Sequence, residues 1–267
     1  MEQELRLAQK LQAVGQLAAG IAHEINTPIQ FIGDNVTFLR SGIDSMVALV
    51  QAYRTADVAV IQRAEEECDF AYVQENAASA CDLAASGVGR VARIVEAMKA
   101  FSHPDRVEQG YASINTGLQT TLVVAHNAYR HIADVVTDLG DVPDVLCHAG
   151  ELNQVFLNLI VNAADAIDDV HRRTHQRGTL AIRTSFDGDA VIVEIADSGD
   201  GIPAHVRERV FDPFFTTKAV GKGTGQGLSL ARATIVERHG GTLSFECPAS
   251  GGTRFTIRLP VAARVAA

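Results

Sequence analysis

Two kinds of chemistry sit in widely separated stretches of this chain. In Ala18-Ala19-Gly20-Ile21-Ala22-His23-Glu24-Ile25-Asn26-Thr27-Pro28, a histidine stands beside a carboxylate and a proline follows within two helical turns. An imidazole with a reference pKa of about 6.5 is largely neutral and nucleophilic at neutral pH, and an adjacent carboxylate can orient it or take its proton. Far downstream come four stretches that suit a phosphorylated ligand. Asn158 and Asn162 lie one turn apart on the polar face of a helix, with Asp165 three residues further along the same side. Amide oxygens are hard ligands that suit Mg²⁺ when phosphates and waters complete the octahedron, although a solvated polar face has the same pattern. Asp197-Ser198-Gly199-Asp200-Gly201-Ile202-Pro203 follows a strand. A carboxylate at a strand end can accept from an adenine amino group while glycines let backbone approach the base; a ligand-free turn would look the same. Phe211-Asp212-Pro213-Phe214-Phe215-Thr216-Thr217-Lys218 sets three aromatics around a proline, by default a loop anchored in the core. Gly221-Lys222-Gly223-Thr224-Gly225-Gln226-Gly227-Leu228 alternates glycines before a helix, making an anion site with Lys222 as a point charge.

These residues need elements to hold them. Apolar or small residues recur from Leu7 through Ile21, Ile25, Pro28, Ile32, Val36, Ile43 and Val50 in steps of three and four, a seam of period about 3.5. A helix over 3–54 would be on the order of 75 Å long, more seam than one small globule can bury. A second helix over 66–101 carries a similar stripe. Two such helices remain under-buried alone, so pairing of two copies into a four-helix bundle, an obligate homodimer, is expected. The seam begins at the first residues without a cap signal, so an upstream sensor domain, missing from this chain, is expected. Ser102-His103-Pro104 stops the second helix. The expected domains are a hairpin over 1–103, a linker over 104–110 and an α/β domain over 111–262. In the last, helices are expected at 116–129, 151–168 and 228–238. Strands are expected at 132–138, 179–186, 190–196, 241–247 and 252–259, forming a sheet with helices on one face.

The chain's 267 residues carry a net charge of -9 without a basic tract, which argues against nucleic acid as partner. No run of eighteen apolar residues exists, so no membrane segment is expected. Cys68, Cys81, Cys147 and Cys247 are far apart and read as thiols in a reducing, cytoplasmic compartment. His171 and His175 have metal-like spacing, but the arginines around them favour a solvated helix end.

The four downstream stretches, in this order, resemble the N box, first glycine box, F box and second glycine box of the GHKL ATPase superfamily. The histidine stretch resembles the H box of its histidine-kinase branch. The resemblance covers nearly the whole chain. It implies a two-component sensor histidine kinase core: a dimeric four-helix bundle built from a long helical hairpin, then an α/β sandwich of GHKL (Bergerat) type. It implies ATP and Mg²⁺ as cofactors, autophosphorylation on His23, and transfer to an aspartate in a response-regulator receiver domain. By the same resemblance Asn162 with Asn158 holds Mg²⁺, Asp197 binds adenine, and Gly199 and Gly201 shape the base pocket. Residues 211–227 become the ATP lid, with Lys222, Gly223, Gly225 and Gly227 near the phosphates and Lys218 a second phosphate candidate. Many members carry a basic residue where Asp165 stands; here the acidic variant implies a polar contact at the base end. The rival readings are a GHKL clamp ATPase, which needs a glutamate where Asn158 stands, a protein-serine kinase, and a catalytically silent scaffold.

On the heptad, His23 lies two residues from both Ile21 and Ile25, so at about 100° per residue it points away from the seam. Glu24 is expected on the exposed flank as its orienting base. Thr27, one turn on, occupies the position that in the family serves dephosphorylation of the partner receiver, so phosphatase activity is expected; Asn26 lies close enough to share the role. Pro28 removes one helical hydrogen bond, a defect of roughly 3 kcal/mol that reads as tolerated strain or a hinge.

Overall fold

A computed structural model describes residues 2–55, 57–102, 109–218 and 225–261, with side chains from residue 22 onward other than 23, 93 and 99–102. Two compact units result. Ala18–Glu96 forms one, and Ala97–Ala267 with Met1–Leu17 forms the other.

The first unit is a helical hairpin. Helix α1 (Glu2–Thr55) runs unbroken through Pro28, α2 (Val58–Glu67) is a short added helix, and α3 (Phe70–Ser102) returns. The helix expected over 66–101 is present as α3, and α2 is an additional helix just before it. Asp57 caps α2, its Oδ1 accepting from the amide of Ala59 at 2.9 Å and that of Val60 at 3.4 Å, and extended backbone at Cys68 ends it. Asp69 then receives the Tyr72 amide at the start of α3. Small residues let α1 and α3 approach: a Cβ added to Gly42 would sit 2.8 Å from Val73, and one added to Gly87 would sit 2.8 Å from Ile32. The apolar seam divides between two faces. Pro28, Gly42, Ala52, Ala80 and Ile94 are buried within the hairpin. Val36, Ile43, Val50, Val88 and Val95 remain 51–59% exposed. A helix in a four-helix bundle needs two apolar stripes, and one chain covers only one of them.

The second unit is a two-layer α/β sandwich. After β1 (Gly110–Ala112) and α4 (Ile114–Tyr129) come β2 (Ala133–Leu139), β3 (Val145–Cys147), α5 (Ala149–Thr174), β4 (Gly178–Phe186) and β5 (Ala190–Asp197). A 3₁₀ turn (Ala204–Arg209), α6 (Gly227–Ala233), a π-helical turn (Thr234–Arg238), β6 (Thr242–Glu246) and β7 (Arg254–Pro260) complete it. The main sheet has order β2-β4-β5-β7-β6, parallel only between β2 and β4; β1 and β3 form a separate ribbon. Alternation separates the sheet's two faces. Leu180 and Ile182, Val191, Val193 and Ile195, and Phe255, Ile257 and Leu259 point into the core. There they meet Leu152, Val155, Phe156, Leu159, Ile160, Ala163 and Ile167 of α5. Each fully buried Leu or Ile contributes about 2 kcal/mol, so this layer dominates the stability of the unit. Ion pairs Arg183–Asp138, Arg254–Glu246 and Arg258–Asp187 decorate the sheet. The expected helices and five strands of this region are present to within a few residues. The β1–β3 ribbon and the 3₁₀ turn went unforeseen, because three-residue strands and single turns leave no periodicity to read.

Candidate functional site

The last residue of β5 carries the first half of the site. Asp197 Oδ1 accepts from the amides of Gly199 at 2.8 Å and Thr253 at 3.2 Å. Its Oδ2 receives no hydrogen bond from the described residues. Burial pushes this carboxyl above the usual aspartate range against the pull of those two amides. Its neighbours explain the glycines. A Cβ on Gly252, at φ +80, would sit 1.8 Å from the Asp197 carbonyl oxygen, so only glycine lets β7 enter here. A Cβ on Gly199 would sit 2.7 Å from the Ala166 Cβ and 2.9 Å from the Ala166 carbonyl oxygen. The Asp197 loop is therefore seated directly against α5. Gly201, at φ +76, turns the loop away over Gly252.

The second half is the polar face of α5. Asn162 Oδ1 accepts from Lys218 Nζ at 3.0 Å, and the same ammonium pairs with Asp165. One turn earlier, Asn158 Oδ1 accepts from Gln154 at 3.1 Å, while its Nδ2 reaches the Gly227 carbonyl at 3.4 Å. Asn162 thus turns an amide oxygen toward positive charge, the donor type a hard divalent cation requires. Asn158 differs: its oxygen is engaged with Gln154, and its amide ties α5 to the start of α6. Asp165 is drawn to Lys218, where a contact at the base end was expected.

The aromatic loop is anchored by two of its three rings. Phe211 packs on Phe245 with centroids 5.9 Å apart, and the Arg209 guanidinium lies 4.6 Å from the centre of Phe215. Phe214 departs from the expected core anchoring: it is 71% exposed with φ 65. Gly225 explains the posture, because a Cβ there would come within 2.3 Å of the Phe214 carbonyl carbon. Lys222 and Gly223 lie outside the described residues; Gly225 and Gly227 lie inside them.

In the hairpin, the His23 backbone belongs to α1 and its side chain lies outside those described. Asn26 is exposed and Thr27 half-buried. Glu24 corrects the sequence reading. It is 6% exposed, not on an open flank, and its Oε2 accepts from Arg90 Nη2 of α3 at 2.8 Å. Glu24 stands one position off the seam at Ile25. In steps of four it nonetheless shares the stripe facing α3 with the seam residues Pro28 and Ile32, so the buried face is wide enough to take it in. Arg90, Thr253, Gly252 and Gln154 were not singled out beforehand; the double glycine before Thr253 was their one signal. His239 was also passed over. Its Nε2 accepts from the His148 amide at 3.1 Å and its Nδ1 faces the Thr234 carbonyl at 2.8 Å, so burial holds it neutral, below the usual histidine range, at the N-terminus of α5. His171 Nδ1 lies 2.8 Å from the Gln176 carbonyl at the end of α5. Among the described residues no cluster of three or more His, Cys, Asp or Glu could hold a metal. None of the described helices is long and apolar enough to cross a membrane.

Residues 147–263 match the family described as histidine kinase-, DNA gyrase B-, and HSP90-like ATPase. The chain is 32% identical over 269 residues to the sensor kinase CckA of Brucella abortus (strain 2308), covering 97% of this chain and 25% of that protein. It is 31% identical over 263 residues to the sensor histidine kinase ZraS of Escherichia coli O157:H7, covering 98% of this chain and 49% of that one. Residues 147–263 carry the ATPase domain of this family, and the relatives that match nearly the whole chain are sensor histidine kinases. The chain spans a quarter to a half of the length of these relatives. The fold agrees: the nucleotide-free catalytic domain of histidine kinase ThkA superposes with a TM-score of 0.50 at 29% identity, covering 58% of this chain and 98% of that domain. The Asp197 loop and the Asn158–Asp165 face both lie within the matched residues.

Proposed function

We propose that this chain is the core of a protein histidine kinase that binds ATP between Asp197 and the polar face of α5 and phosphorylates itself on His23. The observation that carries this is the seating of Gly199 on Ala166. It brings a carboxylate with one uncommitted oxygen beside a helix face bearing an amide oxygen and an ammonium group. Asp197 Oδ2 accepts from the adenine amino group, and the glycine-lined turn admits the flat base. Asn162 would hold a phosphate-bound Mg²⁺, with Asn158 bracing the same face; bound there, the ion neutralises charge developing on the phosphates. Lys218, Lys222 and the backbone of Gly223, Gly225 and Gly227 supply further positive charge on the phosphate side. Little covalent chemistry is asked of this domain, because phosphoryl transfer rests on positioning and charge neutralisation.

His23 is the acceptor: its imidazole attacks the terminal phosphorus, the bond from that phosphorus to the bridging oxygen breaks, ADP leaves, and the proton on the other ring nitrogen is shed. Glu24 is held by Arg90, which fixes the carboxylate beside His23 and makes it an orienting group. The phosphohistidine then passes its phosphoryl group to an aspartate of a receiver domain. Thr27, with Asn26, serves the reverse reaction by placing water at that aspartyl phosphate. The exposed stripe Val36, Ile43, Val50, Val88 and Val95 supports a homodimer joined as a four-helix bundle. The working parts are a hairpin over 1–103, a linker over 104–110 and a catalytic domain over 111–262, within a longer cytoplasmic sensor protein.

Incubation with γ-labelled ATP tests this. The expected label is acid-labile, alkali-stable, absent in His23→Ala, and chased onto a receiver domain. Rapid ATP turnover without labelled protein would instead support a clamp ATPase.

A further inference from the structure

The contact between Lys218 and α5 has a use beyond holding a loop. The Lys218 ammonium spans Asp165 and Asn162, three residues apart on one face of the helix. The Lys218 side chain is 34% exposed and that of Asp165 50%. An ion pair this open stabilises a fold little, so stability does not account for its placement. The backbone below it is also set, because the Lys218 amide donates to Thr216 Oγ1 at 3.1 Å. An ammonium group has three protons. Asp165 and Asn162 take two, and among the described residues none takes the third, which faces an incoming acceptor. Asn162 is the residue assigned to the phosphate side of the pocket.

We infer that Asp165 is a positioning residue that presents Lys218 to the ATP phosphates, making the two side chains one functional unit; this rests on the ATP-site reading above. Asp165 makes no contact with the base in this scheme. Its carboxylate keeps a flexible lysine beside Asn162, so the charge is in place before the nucleotide arrives and less side-chain freedom is lost on binding. Lys218 then donates its remaining N–H to a phosphate oxygen in a charge-assisted hydrogen bond. No bond is made or broken in this step.

A double-mutant cycle tests the unit. Affinities for a non-hydrolysable ATP analogue and for adenosine are measured by calorimetry at constant Mg²⁺, in the whole chain, for the wild type, Asp165→Asn, Lys218→Met and the double variant. Both side chains are part-exposed, and far-UV circular dichroism checks that each variant is folded. Lys218→Met should weaken the analogue about tenfold or more, the cost of a charge-assisted hydrogen bond, and leave adenosine unchanged. Asp165→Asn should weaken the analogue about three- to tenfold in the wild-type background and less than about twofold once Lys218 is gone. Equal loss in both backgrounds, or loss of adenosine binding in Asp165→Asn, would overturn the inference and return Asp165 to the base end. Wild-type protein that binds adenosine and the analogue with additive losses overturns this inference alone; wild-type protein that binds neither overturns the ATP site and the inference with it.

Discussion

Replacing Arg90 with methionine should destabilise the hairpin while leaving its packing stem in place. The Glu24 side chain is 7% exposed and that of Arg90 48%, with 2.8 Å between the charged atoms. Fully exposed pairs are worth about 0–1 kcal/mol, whereas stripping a partner from a fully buried charge costs about 3–5 kcal/mol. The buried carboxylate argues for the upper range and the half-open guanidinium for the lower. Water screens the pair from one side only, so the expected loss for Arg90→Met is about 1–3 kcal/mol. Glu24→Gln, which keeps the shape and removes the charge, should lose a similar amount. The double variant should lose less than the sum, with a coupling of about 1 kcal/mol or more. Urea unfolding followed by far-UV circular dichroism reads all four proteins, at one fixed concentration because a dimer's stability depends on concentration. Additive losses, with a coupling below about 0.3 kcal/mol, would refute the claim that these groups act as a pair and leave Glu24 without a fixed orientation beside His23.

Three further outcomes follow from the same geometry. Burial raises the Asp197 pKa, so this carboxylate takes up its proton at a higher pH than an ordinary aspartate, and its ionised form is the better acceptor for an amino group. Affinity for an ATP analogue should therefore hold steady near neutral pH and fall on acidification above the usual carboxylate range, a dependence absent in Asp197→Asn; an affinity flat down to about pH 4 would count against it. Gly252→Ala must place a methyl group against the Asp197 carbonyl in left-handed backbone, and should cost at least about 2 kcal/mol in thermal unfolding of the α/β unit together with nucleotide binding. Lysine at Val36, Ile43 and Val50 together should convert a dimer to a folded monomer in sedimentation, whereas an unchanged dimer would place the interface elsewhere.

The parts legible beforehand are those written in local pattern. The apolar positions of α5 from Leu152 to Ile167 set its core face by spacing alone. The glycines after β5 and before α6 marked the turns where backbone must pass closely. What escaped was decided by partners distant in sequence. Glu24 looked exposed because it stands one position off the seam at Ile25, but Arg90, 66 residues away, pairs with it and the buried face of α1 widens to include it. The pairing of Asp165 with Lys218, 53 residues on, likewise has no local signal in the sequence. Gly252 carried no message on its own, since its need for glycine comes from the Asp197 carbonyl on an adjacent strand. Asp57 and Asp69 are ordinary caps, yet without a periodic stripe between them the short α2 was not foreseen.

The central claim is that ATP phosphate is placed on one side chain of the hairpin. Peptide mapping by mass spectrometry after brief incubation with MgATP, kept at alkaline pH, tests that claim directly. The account predicts one phosphoryl group on the peptide containing His23, and none there in protein carrying Asn162→Ala or Asp197→Asn. Phosphate on a serine, threonine or another histidine with the His23 peptide unmodified would contradict it.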